Sequence, residues 1–94
     1  MDIERAAGFE WDEANRAHCR KHGMEPEEVE TVFAGNPRIA PDWKHSAQEA
    51  RFLAIGRTEE GRAAFIVFTM RGDRIRPLSA RYMHAKEVEQ YDKT

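Results

Sequence analysis

Three strand-like segments follow one another in the second half of the chain and are separated only by short turns. Residues 51–57 form the first segment, residues 63–68 are a near-continuous apolar run typical of a central strand, and residues 73–81 form the third. Residues 58–61 and 71–73 between them have the composition of turns. Strands joined by such short connections pair antiparallel, so this half of the chain predicts a three-stranded meander.

The first half of the chain predicts two helices. Asp12 suits an N-cap, and the helix that it starts runs to about His22, followed by Gly23 at a position of positive φ. The second helix begins near Pro26, because proline is favoured in the first helical turn, and it ends at residues 35–37, which read Gly-Asn-Pro.

Two further elements complete the predicted order. Residues 9–11 alternate in polarity and predict a short edge strand, and residues 84–91 predict a last helix. These elements predict an α+β fold in which an antiparallel sheet of three to four strands packs against two N-terminal helices and one C-terminal helix. We expect residues 1–94 to form a single domain, with frayed ends at residues 1–8 and 92–94.

The composition excludes several classes of protein. The chain is 40% apolar and 34% charged, which is typical of a globular domain. Its formal net charge of -2 gives no overall attraction to nucleic acid, so any such binding must come from a local basic patch. Cys19 stands alone, so no internal disulfide can form, and we expect a cytoplasmic location. No apolar run approaches the length of a membrane span, and the N-terminus does not resemble a signal peptide.

Four arginines lie within residues 71–81, interleaved with apolar side chains. This interleaving predicts a strand that carries the guanidinium groups, and rigid arginine forks match phosphate oxygens. The alternative is a solvated face on which long side chains cover the sheet. Pro77 lies inside this strand and cannot donate to a ladder, so we expect an edge or a bulge there. A bulge would turn Ser79 and Arg81 toward the face that the earlier arginines occupy.

An ordered set of short motifs along the chain resembles the BrnT family of bacterial toxins. The set spans residues 9–91, and the order and spacing of the motifs are more specific than any one of them. The residues that carry the resemblance are Phe9-Glu10-Trp11-Asp12, Asn15, Lys21-His22-Gly23, Val32-Phe33, His45-Ser46, Glu49, Arg51-Phe52, Ala54-Ile55-Gly56-Arg57, Arg71-Gly72, Arg74-Ile75-Arg76, Ser79-Ala80-Arg81, Glu87 and Tyr91.

The resemblance implies a fold, an activity and a partner. The fold would be similar to that of the RelE and ParE toxins. The activity would be that of a ribonuclease that cuts RNA and halts translation, as the toxin half of a type II toxin–antitoxin pair. The implied partner is a BrnA-type antitoxin, a DNA-binding protein, so the toxin would meet operator DNA only through its antitoxin.

Metal-independent RNA cleavage needs a base, an acid and cations that hold the charge building on the phosphorane. Lysine and histidine in the predicted first helix are the candidates for proton transfer, and the arginines of the meander are the candidate cations. We therefore expect a catalytic set of Lys21, His22, Arg51, Arg57, Arg76 and Arg81, with Lys44, Arg74 and Ser79 as RNA-binding residues.

Each of these assignments has a structural alternative. An arginine can pair with an acidic neighbour, His22 can cap the first helix, and Lys21 can be a solvated lysine. Cationic side chains that converge on a patch free of carboxylates would favour an enzyme. Cations that are each paired with a carboxylate would favour a non-catalytic module, derived from a toxin, that binds an antitoxin or acts as its co-repressor.

We expect neither a metal nor a cofactor. His18 and His22 have the i, i+4 spacing of metal ligands, but no glutamate follows His18 as it does in metalloproteases. The glycines are scattered and form no phosphate-cradling loop. Trp43 lies between two charged residues of a predicted loop, and we expect it to be exposed and to contact the partner.

Overall fold

The computed structural model describes residues 3–45 and 48–94, so Ser46 of the motif set lies outside the described residues. Single turns of 3-10 helix occur at Ile3–Arg5 and Trp43–His45. The helices and strands follow in the order β1 (Gly8–Phe9), α1 (Glu13–Lys21), α2 (Pro26–Ala34), β2 (Arg38–Pro41), β3 (Phe52–Arg57), β4 (Ala63–Arg71), β5 (Arg74–Tyr82) and α3 (Ala85–Asp92).

The strands form one sheet in the order β1-β5-β4-β3-β2. The predicted meander is confirmed, because β3 pairs antiparallel with β4 and β4 pairs antiparallel with β5. The α+β class is also confirmed. The prediction of a three- to four-stranded antiparallel sheet is wrong, because the described residues form five strands and β1 runs parallel to β5.

The two additional features of the sheet have simple causes. The strand β2 spans four residues that are mostly exposed, so the sequence lacks the apolar alternation by which strands are recognised. The strand β1 is held to β5 at both of its ends, where Ala7 N–H donates to Asp73 O and Glu10 N–H donates to Ile75 O, each at 2.8 Å. A two-residue strand has too little pattern to reveal its direction.

The predicted helix ends are confirmed at α1 and α2. The Asp12 carboxylate accepts a hydrogen bond from the Asn15 N–H at 3.0 Å, and the Asn15 side chain accepts one from the Asp12 N–H at 2.7 Å. This reciprocal pair satisfies two backbone donors at the start of α1. Gly23 after α1 has φ 84°, as expected of a residue that ends a helix. Pro26 lies in the first turn of α2.

The core lies between one face of the sheet and the two N-terminal helices. The main helix contacts are those of α1 with β5 and of α2 with β3. The buried apolar residues are Cys19, Met24, Val29 and Val32 from the helical half, and Ala54, Ala64, Ile66, Phe68, Ile75 and Ala80 from the strands. Burial in this core raises the pKa of the Cys19 thiol to about 11, so this cysteine stays protonated near neutral pH.

The C-terminal helix forms within one residue of the predicted bounds, but its predicted packing is wrong. Helix α3 has no buried residue, so it does not pack into the core as α1 and α2 do. It lies beside Ile55 and Phe65, which alternate with the core residues of their strands and therefore face the other side of the sheet. The short polar α3 cannot bury enough apolar area to hold it tightly, and ion pairs tie it to the strands instead.

The predicted bulge in β5 is confirmed. Pro77 lies opposite Phe68 and Ser79 lies opposite the preceding residue, Val67, so that Leu78 is an extra residue in the strand. The partners in β4 of Arg74, Arg76, Ser79 and Arg81 are Arg71, Thr69, Val67 and Phe65. Those partners alternate along β4, so the bulge brings all four polar side chains of β5 to the same face.

Candidate functional site

The face of the sheet opposite the buried core is only partly covered, and we call it the open face. It carries Leu53, Phe65 and Val67 as half-buried apolar residues, with Ser79 and Arg81 beside them. A cavity of about 330 Å³ lies on this face; its lining consists of His22, Leu53, Phe65, Val67, Ser79, Ala80 and Arg81. This His22 cavity combines an apolar floor with an imidazole, a hydroxyl and a guanidinium group.

His22 reaches the cavity from the end of α1. Its backbone N–H donates to Cys19 O at 3.2 Å and so helps to close the last turn of the helix. The imidazole side chain is exposed and lines the cavity. The backbone of His22 therefore serves as the helix cap, and its side chain is available for another role.

Arg81 is held in place by α3. Its Nη1 donates to Glu87 Oε1 at 2.8 Å, and its Nη2 donates to Glu87 Oε2 at 2.9 Å. The hydrogen bond from Arg81 is the main reason that the pKa of the Glu87 carboxyl falls to about 2, and the same bond raises the pKa of Arg81. The two oxygens of a carboxylate thus occupy a fork that also fits two oxygens of a phosphate.

A second cavity of about 530 Å³ lies between α3 and the open face. Its lining includes Tyr91 and Lys86 of α3, Arg38 of β2, and Phe65, which also lines the His22 cavity. We call it the Tyr91 cavity. The guanidinium carbon of Arg38 lies 4.9 Å from the centre of the Tyr91 ring. Two cations and an aromatic ring therefore adjoin the His22 cavity.

Arg57 lies at the edge of the same region. Its guanidinium carbon is 5.3 Å from the centre of the Tyr91 ring, and its Nη2 donates to Asp92 Oδ1 at 2.8 Å. Its Nε donates to Gly61 O at 3.1 Å. Arg57 thus joins the end of α3 to the turn that follows β3.

Arg76 lies where the end of β1, the start of α1 and the start of β5 meet. Its Nη1 donates to Glu10 Oε1 at 3.2 Å and its Nη2 to Asp12 Oδ2 at 2.8 Å, while its side chain is only 14% exposed. Asn15 lies in the same region, and its side-chain amide donates to Pro77 O at 2.8 Å and to Glu10 O at 3.0 Å. The contacts of Arg76 join β1, α1 and β5, and its catalytic role stays a prediction.

The structure brings together only part of the predicted set. His22, Ser79 and Arg81 meet in the His22 cavity, and Arg57 lies near the adjoining Tyr91 cavity. Among the described residues, the lining of the His22 cavity does not include the remaining candidates Lys21, Lys44, Arg51, Arg74 and Arg76. Lys44 and the 83% exposed Trp43 lie in the 3-10 turn after β2. The roles of all these residues stay predictions.

Sequence reasoning missed the cavity residues Arg38 and Lys86. Arg38 belongs to the strand that was not predicted, so nothing placed it beside the C-terminal helix. Lys86 is one of many charged residues on a short helix. Tyr91 belongs to the motif set, and an aromatic residue within a polar helix was a signal that it contacts something specific.

In the part of the chain that the structure describes, no three His, Cys, Asp or Glu side chains are grouped in a way that could hold a metal ion. The helices found there include none with the length and apolar character needed to cross a membrane.

Comparison with known proteins identifies the family. A family model described as the ribonuclease toxin BrnT of a type II toxin–antitoxin system matches residues 11–87. The chain belongs to the BrnT family. The predicted resemblance is confirmed, and membership implies an antitoxin partner. No curated protein matches the chain. In this BrnT-family chain the matched region contains the whole lining of the His22 cavity, while Tyr91 lies beyond it.

Proposed function

We propose that this BrnT-family chain is an endoribonuclease that cuts RNA without a metal ion. The 2′-hydroxyl of the RNA gives up its proton and attacks the adjacent phosphate, which forms a 2′,3′-cyclic phosphate and breaks the bond to the 5′-oxygen of the next nucleotide; that oxygen leaves with a proton. The resulting loss of mRNA inhibits translation in the cytoplasm. A BrnA-type antitoxin neutralises the toxin and makes the only contact with operator DNA. The fold likeness to the RelE and ParE toxins is part of this proposal.

The observation that carries the proposal is the meeting of His22, Ser79 and Arg81 around one cavity. An imidazole can take a proton from the attacking hydroxyl or give one to the leaving oxygen near neutral pH. The guanidinium of Arg81 can hold the charge that develops on the phosphorane, and the hydroxyl of Ser79 can donate a hydrogen bond to a phosphate oxygen. The cavity thus supplies one proton-transfer group, one cation and one hydrogen-bond donor of the set that metal-independent cleavage requires.

The apolar floor of the cavity supports an RNA substrate. Leu53, Phe65 and Val67 offer a surface on which a base can lie while its phosphate approaches Arg81. Bases of single-stranded RNA are free to leave their stack and rest on aromatic and apolar side chains. A phosphate must then replace the Glu87 carboxylate on Arg81, so substrate binding includes the exchange of one anion for another.

Expression in bacteria with and without the antitoxin gene tests this proposal. The chain alone should arrest growth, and the antitoxin should restore it. The purified chain should cut RNA in the presence of EDTA, and a His22→Ala variant with an unchanged thermal unfolding temperature should cut it far more slowly. Normal growth at a confirmed high level of folded protein would contradict the proposal.

A second candidate function is supported by the ion pairs of the arginines. Arg57, Arg76 and Arg81 each contact a carboxylate, as expected of structural cations in a non-catalytic module that binds the antitoxin. Such a module would form a stable complex with the antitoxin but would neither arrest growth nor cut RNA. The expression and cleavage experiments therefore separate the two candidates.

A further inference from the structure

The two cavities of the open face share one wall. Phe65 lines both of them, and Arg81 lies against its ring, with the guanidinium carbon 4.8 Å from the ring centre. Glu87, the partner of Arg81, lines the Tyr91 cavity. A phosphate that binds Arg81 would therefore lie at the boundary between the cavities, with space for one nucleotide on each side.

The charges around the Tyr91 cavity favour an anion. Arg38 and Lys86 line it, and Arg57 lies beside its tyrosine. The described contacts of Arg38 are with neutral groups, since one guanidinium nitrogen donates to the Thr94 hydroxyl and the guanidinium lies over the Tyr91 ring. The carboxylate of Glu87 in the lining is already held by Arg81. Because Arg57 is likewise paired with Asp92, the positive charge of this region comes from Arg38 and Lys86.

The shape and lining of the cavity fit a nucleotide. Its volume of about 530 Å³ is within the range of small-molecule sites, roughly 300–1,000 Å³. Tyr91 and Phe65 offer aromatic surfaces, Gln90 offers an amide that can both donate and accept hydrogen bonds, and the cations can contact a phosphate. Base–aromatic stacking combined with nearby cations is how proteins bind single-stranded nucleic acid.

We propose that the Tyr91 cavity is a nucleotide subsite for the RNA residue next to the cleaved phosphate. Its base takes the place of the Arg38 guanidinium on the Tyr91 ring, and the displaced Arg38 contacts the phosphate on its far side together with Lys86. The residue on the other side of the cleaved phosphate occupies the His22 cavity. This inference rests on the proposed ribonuclease function and extends it, because it names residues that bind substrate without taking part in the proton transfers.

The cleavage position is first mapped on a single-stranded RNA. The test then uses a fluorescent form of this RNA with a 2′-deoxy sugar at that position, so that the RNA can bind to the chain but cannot be cut. Fluorescence anisotropy measures its affinity for the full chain. In matched RNAs, one base at a time is removed on either side of the cleaved phosphate. For the wild-type chain, loss of the base bound by Tyr91 should weaken binding by roughly 5- to 150-fold, the usual contribution of one stacked base.

Variants of the chain test whether this loss of RNA affinity comes from the contact between the base and Tyr91. Tyr91→Ala should bind the intact RNA as weakly as the wild-type chain binds the RNA that lacks this base, and removing the base should then have no further effect. Tyr91→Phe keeps the ring and should behave as wild type. Lys93→Ala removes a charge directly after α3 that pairs with Glu89 and does not line the cavity, and it should also behave as wild type. Arg38→Ala should weaken binding of every RNA and reduce its salt dependence.

Three outcomes overturn the inference in distinguishable ways. If RNA is cut but Tyr91→Ala and Arg38→Ala bind all the RNAs as wild type does, the cavity is not a subsite and the ribonuclease function stands. If these variants lose affinity only for the antitoxin, the cavity is a docking surface for that protein. If the folded wild-type chain neither binds nor cuts RNA, the proposed function fails and the subsite fails with it. Should Tyr91→Ala not fold, Arg38→Ala and the RNAs with a missing base still decide the question.

Discussion

Arg81 and Glu87 form a bidentate ion pair, in which the two Nη atoms of the guanidinium group each donate to a different carboxylate oxygen, at 2.8 and 2.9 Å. The pair joins β5 to α3, and it covers the guanidinium group that the proposed chemistry needs. The side chain of Arg81 is 41% exposed and that of Glu87 is 30% exposed, so solvent screens the attraction between them. The pair can therefore open without a large cost in stability, and an RNA phosphate can replace the carboxylate.

Replacing Arg81 should abolish cleavage and leave the fold intact. Loss of one cation that stabilises the transition state typically lowers the rate by about 10²–10³-fold, and we expect this of Arg81→Ala. Arg81→Lys should also be poor, because an ammonium group cannot reproduce the planar fork. Rates on a defined RNA, compared at equal unfolding temperature, measure the effect; a wild-type rate for Arg81→Ala would make this residue structural.

The Arg81–Glu87 pair should make part of the stability depend on acid pH. The pKa of Glu87 is lowered from 4.5 to about 2 in the folded chain, so the pair stabilises fully above pH 4.5 and its contribution disappears as pH falls through 2. The difference in unfolding temperature between wild type and Glu87→Gln should be constant from pH 7 to 5 and should shrink toward pH 2. A difference that does not change over the whole range would show that the carboxylate charge is not what holds α3.

Asn15 should be essential for the fold. It is 3% exposed, and its amide bonds the backbone oxygens of Pro77 and Glu10 while its oxygen accepts from the Asp12 N–H. Asn15→Ala should lower the free energy of unfolding by roughly 2–4 kcal/mol, because each buried group left without a partner costs about 1–3 kcal/mol. Urea unfolding measures the loss. Asn15→Asp keeps the acceptor, but it replaces the donors with a carboxylate oxygen and adds a buried negative charge, so it should destabilise the fold at least as much. Glu13→Ala on the exposed side of α1 should have little effect.

Binding of the antitoxin should depend on salt mainly through its association rate. Arg76 and Arg81 of the open face each pair with a carboxylate of the chain, so an acidic segment of the partner should be steered toward them and compete with those carboxylates. The association rate should fall as salt rises from about 50 to 500 mM, over which the screening length drops from above 10 Å to a few Å. Trp43→Ala should instead raise the dissociation rate, because the exposed indole offers apolar contact area. An association rate that salt leaves unchanged would place the docking surface elsewhere.

The local elements could be predicted because each had a strong sequence signal. Asp12, Gly23 and Pro26 mark helix ends through their own backbone and side-chain chemistry, and the structure has the helix ends at these positions. The bulge at Pro77 followed from the missing N–H of proline. The strand β2 and the parallel pairing of β1 have no comparable local signal, since both arise from contacts between distant parts of the chain.

The candidate site was predicted only in part for a similar reason. The alternation of strand residues indicates which arginines share a face, but it does not indicate which carboxylate each one meets. Arg76 meets Glu10 and Asp12 because β1 ends and α1 begins beside the first residues of β5. Arg38 adjoins Tyr91 because β2 closes the far edge of the sheet. These contacts depend on the packing of whole elements, which the composition of one segment does not determine.

The extra residue in β5 has a consequence for how relatives of this chain should be aligned. Without Leu78, Pro77 and Ser79 would be neighbours in an unbroken ladder, still opposite Phe68 and Val67. In a homologue one residue shorter at this point, the serine and the last arginine of β5 would therefore lie on the same face of the sheet as Ser79 and Arg81 do here. A gap at Leu78 is neutral for the site, whereas an insertion or deletion elsewhere in β5 would exchange the two faces of the strand.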